Sequence, residues 1–173
     1  MYTELHWMDG LWPGRLAISA RPRGGDWLDE ELVSWRKSGV DEVVSLLPPE
    51  EAENLELQHE PAHSWDAGMR FRSFPIVDRS VPASKWEALR LIEDLDAALS
   101  AGKSVSIHCR QGIGRAGLIA ACLLVARGVR PVDAFERVSL TRGVSVPETE
   151  EQRAWVEALA SELAEFGHPL AKE

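Results

Sequence analysis

The chain has 173 residues, 45% of them hydrophobic, and its formal net charge is −9. This length suits one domain with a full hydrophobic core, so we expect residues 1–173 to form a single domain. No apolar run is long enough for a membrane span and no basic-then-apolar leader opens the chain, which predicts a cytoplasmic protein without a membrane partner. The acidic balance also argues against nucleic acid as the main partner.

Positive charge is concentrated in one segment of this acidic chain. Between Lys103 and Arg142 there are seven lysines and arginines but two acidic residues, a balance of +5 that leaves −14 for the remainder. A local basic region suits a phosphate group. Clustering by chance on solvated helix faces is the alternative interpretation.

The two cysteines, Cys109 and Cys122, are too few for a disulfide framework and fit a reducing compartment. Cys122 stands within an apolar stretch, so we expect it in the core; a redox partnership with Cys109 is the alternative. Cys109 has a different context, between a β-branched segment and a pair of glycines.

The pattern of apolar residues predicts strands that alternate with helices. Strands are predicted within 11–19 and over 43–47, 70–74 and 103–107. Helices are predicted over 26–37, 50–58, 61–68, 84–99, 118–125 and 131–140, and from 147 onward. Such alternation is typical of an α/β domain with a mostly parallel central sheet flanked by helices.

Local features define several of these helices. Asp26 is a suitable N-cap for the first, and Ser84 with Glu87 forms a capping box for the fourth. The acidic helix over 50–58 is expected to expose its charges to solvent. The buried stripe of the fourth helix is predicted to contain Trp86, Leu89, Ile92 and Leu99.

The segment HCRQGIGRAG, residues 108–117, lies between the strand over 103–107 and the apolar helix. Backbone amides in such a loop point inward and the helix N-terminus adds partial positive charge, which together form an anion cradle. Cys109 stands at the strand end, where the helix dipole and Arg115 both favour the thiolate. The Arg115 guanidinium can hold two oxygens of a tetrahedral oxyanion. The cradle is predicted to use Arg110, Gln111, Gly112, Ile113, Gly114 and Arg115. A buried cysteine beside a structural glycine turn is the alternative.

A second informative segment is PIVDRSVP, residues 75–82, a proline-bounded loop after a predicted strand. Cleavage of a phosphate ester needs a proton for the leaving oxygen, and a carboxylic acid on a positioned loop can supply it. Asp78 is therefore the predicted general acid. An aspartate that only caps its own loop is the alternative.

These motifs resemble a known family. HCRQGIGR matches Cys-x5-Arg, the signature loop of the protein tyrosine and dual-specificity phosphatase superfamily, and PIVDRSVP resembles the acid loop of dual-specificity phosphatases. The similarity extends from about Trp12 to the last helix. It implies the compact dual-specificity phosphatase fold and two-step phosphoryl transfer through a phosphocysteine, with no metal and no cofactor.

The resemblance also implies roles for three further residues. VPETEEQRAWVE resembles the region whose glutamine orients the water that attacks the phosphocysteine, which gives Gln152 that role. His108 matches the histidine that fixes the loop and favours the thiolate. Ala116 departs from the family, which usually has Ser or Thr there to bond the sulfur and ease its departure. We therefore expect either that dephosphorylation of the enzyme is slow or that another donor substitutes for the hydroxyl.

Three alternative functions stay open. A phosphate-binding pseudophosphatase would keep the cradle without turnover, a rhodanese or arsenate reductase would use the thiolate differently, and a non-catalytic interaction protein would bind no oxyanion. Arg110 adds charge to the loop, but the lysine-rich pattern of phosphoinositide-directed relatives is absent. We expect a monomer that acts on phosphotyrosine or phosphoserine/threonine in proteins, or on a small phosphomonoester.

Overall fold

A single five-stranded sheet organises the computed structural model, which describes residues 1–166. Its strands are β1 (His6–Met8), β2 (Leu16–Ser19), β3 (Glu42–Ser45), β4 (Arg70–Ser73) and β5 (Val105–His108). They lie in the order β1-β2-β5-β3-β4, with β1 antiparallel to β2 and every other pair parallel. The predicted mostly parallel α/β sheet is confirmed. The three-residue β1 was not predicted, because so short a strand shows no alternation.

Helices cover both faces of this sheet. They are α1 (Leu28–Lys37), α2 (Pro49–Asn54), α3 (Glu60–Asp66), α4 (Lys85–Ser100), α5 (Gly114–Ala126), α6 (Pro131–Arg142) and α7 (Glu150–Phe166). One apolar cluster joins α4, α5, α6 and α7 to the sheet, and a second lies under α1 and α2. No helix within residues 1–166 is long and apolar enough to cross a membrane.

Helix α5 is the central element of the larger layer. All thirteen of its residues are buried, because it packs against the sheet and against α4, α6 and α7. A helix that is apolar on every side is stable only in such a position. The loop over 109–113 therefore connects β5 to a helix that is packed on all sides.

Three local predictions about helices are wrong. Asp26 lies within a 3-10 turn, Gly25–Trp27, and does not cap α1. Trp86 is 70% exposed, because the buried face of α4 is formed from Ala88 onward. The last helix begins at Glu150 and not at Pro147, because the Thr149 hydroxyl accepts the Gln152 N–H (3.1 Å) as an N-cap does.

The predicted cap of α4 is confirmed. The Ser84 hydroxyl accepts a hydrogen bond from the Glu87 N–H at 3.2 Å, and the helix begins at the next residue, Lys85. This cap fixes where the chain leaves the loop over 75–82 and enters α4.

Candidate active site

The loop between β5 and α5 curls around the sulfur of Cys109. The thiol is 3% exposed and accepts a hydrogen bond from the Gly112 N–H, with a nitrogen to sulfur distance of 3.3 Å. Gly112 has φ +70°, and a Cβ there would collide with the carbonyl group of Ser19 on β2. This tight turn requires glycine, and it aims an amide at the sulfur.

Arg142 holds the same loop from outside. Its guanidinium donates to the carbonyl oxygens of Gln111 (3.0 Å) and Gly112 (3.1 Å). Burial and the Arg142 charge lower the pKa of His6, whose neutral ring faces Arg142 at 3.1 Å. Because these carbonyls bond outward, the peptide amides are free to face the inside of the loop. The sequence reasoning did not find Arg142.

Arg115 projects from the first turn of α5 and is 2% exposed. It forms two parallel bonds with Glu51 of α2, at 2.8 and 2.9 Å, and a third with the Ile76 carbonyl oxygen at 3.0 Å. Burial alone would lower the pKa of Arg115. The hydrogen bonds that Arg115 donates to Glu51 and the negative charges of Cys109, Glu51 and Asp78 outweigh this effect of burial. The pKa of Arg115 is therefore raised.

Glu51 corrects the expectation that the acidic helix only faces solvent. Its side chain is 15% exposed, and the bonds from Arg115 lower its pKa below the ordinary value of 4.5. The sequence of α2 does not indicate this role for Glu51, because its charges are typical of an acidic helix on the surface. The sheet topology does indicate it, because chain segments that follow adjacent parallel strands meet at the same edge of the sheet.

Asp78 reaches the same guanidinium from the loop over 75–82. Its side chain is 53% exposed, and its Oδ1 lies 3.1 Å from Arg115 Nη2. Two contacts connect this loop to the start of α7: Arg79 pairs with Glu148 at 3.3 Å, and Gln152 Nε2 donates to the Ser80 carbonyl at 3.0 Å. Asp78 is thus held over Cys109 and Arg115 by contacts far along the chain.

Gln152 lies behind the cleft, fully buried. Its Oε1 accepts the amides of Glu148 (3.1 Å) and Thr149 (3.3 Å), and a Cβ at Gly114 would be tightly crowded by its amide, at 3.0 Å from Oε1. One of the two Nε2 hydrogens is used on the Ser80 carbonyl. Gln152 therefore joins α5, α7 and the Asp78 loop.

Most of the predicted residues converge on a polar cleft of about 430 Å³, whereas Gln152 and Gly112 are not among the residues that line it. Its lining comprises Asp78, Arg79, Cys109, Arg110, Gln111, Ile113, Gly114, Arg115, Ser145 and Glu148. A cleft of about 490 Å³ at the opposite ends of the strands is lined by Trp65, Arg70 and Lys103 among others and contains no cysteine, serine or histidine. Cys109 lies at the first cleft together with Arg79, Arg110 and Arg115.

Ala116, Cys122 and His108 lie beneath this surface. Ala116 is fully buried and offers a methyl group in place of the expected hydroxyl, and the Gly112 N–H is a backbone donor to the sulfur. Cys122 is fully buried in α5, as predicted, and burial raises the pKa of its thiol. His108 contacts the Cys109 carbonyl oxygen through Nδ1 at 3.2 Å.

Comparison with known proteins agrees with this geometry. Residues 19–129, more than half of the chain, match the family model described as "Polymorphic toxin system, DSP-PTPase phosphatase". The chain belongs to this phosphatase family. The matched range of the phosphatase contains Glu51, Asp78 and the whole loop from Cys109 to Arg115.

Curated relatives of this phosphatase match over about half of its length. Cyclin-dependent kinase inhibitor 3 of Rattus norvegicus is 31% identical over 96 residues, 53% of this chain and 44% of the relative. Protein tyrosine phosphatase domain-containing protein 1 of Bos taurus is 32% identical over 102 residues, 54% of this chain and 13% of the relative. The chain thus spans less than half the length of either relative.

Solved structures share the fold along nearly the whole chain. The kinase associated phosphatase, in a form with serine at its catalytic-site cysteine, has a TM-score of 0.87 at 19% identity and covers 95% of this chain and 97% of its own. Tk-PTP in its active form has a TM-score of 0.75 at 26% identity, with coverages of 91% and 96%. The dual-specificity phosphatase fold is confirmed.

Glu51→Gln tests whether Glu51 holds the Arg115 guanidinium in place. The amide keeps the shape but loses the charge and one of the two bonds, so Arg115 becomes less well held. We expect kcat/KM on an aryl phosphate to fall about 10–100-fold, since charge-assisted bonds contribute about 1.5–3 kcal/mol. Glu50→Gln, at the exposed neighbouring position, is the control and should leave kcat/KM unchanged. Equal activity of the two variants would contradict this role.

Glu51→Gln should also differ from the wild type in the way its unfolding free energy depends on pH. Because the folded-state pKa of Glu51 is lowered, its contribution is fully present above the ordinary value of 4.5 and is lost as the pH falls through the lowered value. The wild type should therefore exceed Glu51→Gln in unfolding free energy at neutral pH, and the gap should shrink below pH 4.5. Urea denaturation across this range measures it.

Proposed function

We propose that this phosphatase hydrolyses phosphate monoesters through a phosphocysteine on Cys109. The observation that carries the proposal is the convergence of three groups on one cleft: the Cys109 sulfur, the Arg115 guanidinium and the Asp78 carboxyl. A nucleophile, an oxyanion clamp and a proton donor are the parts that the reaction needs. We further propose that residues 1–173 form one phosphatase domain.

In the first step the Cys109 thiolate attacks phosphorus and the ester P–O bond breaks. The inward amides of the loop over 110–115 and the Arg115 guanidinium hold the three equatorial oxygens. Asp78, in its protonated form, delivers its proton to the leaving oxygen, so the alcohol departs neutral. The Gly112 N–H, already 3.3 Å from the sulfur, stabilises the thiolate before attack.

In the second step water attacks the phosphocysteine and the P–S bond breaks. Asp78, now a carboxylate, accepts the proton of the water and is restored to its acid form. We propose that Gln152 places this water with the Nε2 hydrogen that the Ser80 carbonyl does not use. Inorganic phosphate and the free thiolate are the products, and no metal or cofactor takes part.

The proposed substrates are proteins that carry phosphotyrosine and also phosphoserine or phosphothreonine. Among the residues that line the cleft none is aromatic, so no ring is available there to select a phosphotyrosine by stacking. The charged rim, with Arg79 and Arg110 beside Glu148, favours a polar phosphomonoester. Two buried free cysteines fit a reducing compartment, which supports action in the cytoplasm.

The direct test is hydrolysis of a small aryl phosphate in the presence of a chelator. The wild type should turn over and Cys109→Ser should not, because a serine hydroxyl stays protonated in this loop. Cys122→Ala, at the second buried cysteine, is the control and should retain activity. Turnover by Cys109→Ser would overturn the proposal. Oxyanion binding by a wild type that does not turn over would favour the pseudophosphatase.

Asp78→Asn tests the proton donor. Loss of general acid catalysis should lower kcat by about 10²–10⁴-fold on an alkyl phosphate, whose leaving group needs a proton. The effect should be much smaller on an activated aryl phosphate, whose leaving group departs as an anion. Asp66→Asn, an exposed aspartate on α3, is the control. Equal losses on both substrates would contradict the assignment.

Ala116→Ser tests the effect of having alanine where the family usually has serine or threonine. If hydrolysis of the phosphocysteine is slow without a hydroxyl near the sulfur, the wild type should release a burst of product before a slower steady rate. Ala116→Ser should then raise the steady rate and reduce the burst. Stopped-flow measurement of an aryl phosphate provides both. Absence of a burst, with no gain in the variant, would contradict the explanation.

A further inference from the structure

A buried ion pair lies directly behind the nucleophile. His108, the last residue of β5, has its Nδ1 3.2 Å from the Cys109 carbonyl oxygen and its Nε2 2.6 Å from Glu60 Oε1 of α3. The two side chains are 0% and 2% exposed. The catalytic steps above do not use Glu60.

The contacts of this ring determine its proton count. A carbonyl oxygen and an ionised carboxylate both only accept hydrogen bonds, whereas a neutral imidazole carries one N–H. The ring can satisfy both partners only if the pair holds an additional proton, which makes it an imidazolium beside a carboxylate or a neutral ring beside a carboxylic acid. Loss of that proton would leave two lone pairs facing each other, either at Glu60 (2.6 Å) or at the Cys109 carbonyl (3.2 Å), and an uncompensated buried charge.

We propose that Glu60 is a positioning residue that holds His108 as an imidazolium behind Cys109. The 2.6 Å separation is that of a charge-assisted bond. The Nδ1–H then donates to the Cys109 carbonyl and fixes the peptide at which the strand becomes the loop. The imidazolium contacts the backbone of Cys109 itself, whereas the carboxylate contacts the far side of the ring, so the pair favours the thiolate. This inference rests on the proposed function, in which Cys109 is the nucleophile.

The surroundings of His108 supply no second charged partner within residues 1–166. The Trp35 ring of α1 meets it edge-on, with centroids 6.0 Å apart. Glu31, one turn earlier on α1, is buried but bonded to Arg23 at 2.6 Å. Neutral hydroxyl side chains stand at the same level in the sheet: Ser19 and Ser45. Arg115 and Glu51 belong to the cleft around the thiol.

Glu60→Gln removes the charge of the carboxylate but keeps the size and shape of the side chain. Its carboxamide N–H can donate to Nε2 of a neutral His108, whose Nδ1–H remains on the Cys109 carbonyl. Every hydrogen bond of the pair is thus preserved while the imidazolium is lost. A purely structural role would survive this substitution, whereas the proposed electrostatic role would not.

The experiment measures the rate at which iodoacetamide alkylates Cys109 as a function of pH, followed by mass spectrometry of its peptide. In Glu60→Gln we expect the midpoint of this profile to rise by about 0.5–1 pH unit, which is about three- to tenfold less thiolate below the midpoint. Glu42→Gln removes an equally buried glutamate at the start of β3, bonded to Arg72, and should leave the profile unchanged. An unmoved midpoint in Glu60→Gln would overturn the proposal.

A measurement on the wild type makes the test independent of any variant. Nitrogen NMR of the His108 ring should show both ring nitrogens protonated between pH 6 and 8. A ring with one unprotonated nitrogen at pH 7 would overturn the proposal even if Glu60→Gln does not fold. Neither readout requires turnover, so failure of the phosphatase activity and failure of the Glu60 role are distinguishable.

Discussion

The active site depends on keeping one guanidinium buried. Arg115 stands in the first turn of a helix whose every residue is buried, and a cation in such a place is costly unless it is paired. Glu51 pairs it with two bonds, and this is possible because α2 follows β3 while Arg115 follows β5, its parallel neighbour. The order of the strands in the sheet therefore brings the Glu51 carboxylate next to the Arg115 guanidinium.

Arg115 also connects the two steps of the proposed reaction. Its Nη2 lies 3.1 Å from Asp78 Oδ1, and a bound phosphate would need the same nitrogen. Two anions competing for one donor repel each other, whereas a protonated Asp78 does not. The proposed first step uses Asp78 in its acid form, in which it does not compete with the phosphate as an anion. Arg79 and Gln152 keep the loop close enough for this exchange.

Contiguous features of the chain predict that Cys109, Arg115 and Asp78 share one site, and the structure brings these side chains to one cleft, while their catalytic roles stay a prediction. The loop over 108–117, its flanking strand and helix, and the acid loop are each local, so residue types at fixed spacing suffice to place Cys109, Arg115 and Asp78. The parallel sheet followed from the alternation of strands and helices. The buried position of Cys122 followed from an uninterrupted apolar run.

The missed residues are those whose partners are distant along the chain. Glu51, Glu60 and Arg142 resemble ordinary surface charges in the sequence, and only the sheet order brings them against Arg115, His108 and the loop carbonyls. The prediction for Trp86 was wrong because the contact of α4 with the core begins at Ala88, whereas Ile92 and Leu99 of the same predicted stripe are buried.

The phosphocysteine itself is the most direct test of this account. The reaction with an aryl phosphate would be stopped in acid within the first turnover, and the peptide that contains Cys109 analysed by mass spectrometry. The account predicts a phosphoryl group on Cys109 in the wild type that disappears as substrate is exhausted. Turnover without a phosphoryl group on Cys109, or with one on another residue, would contradict it.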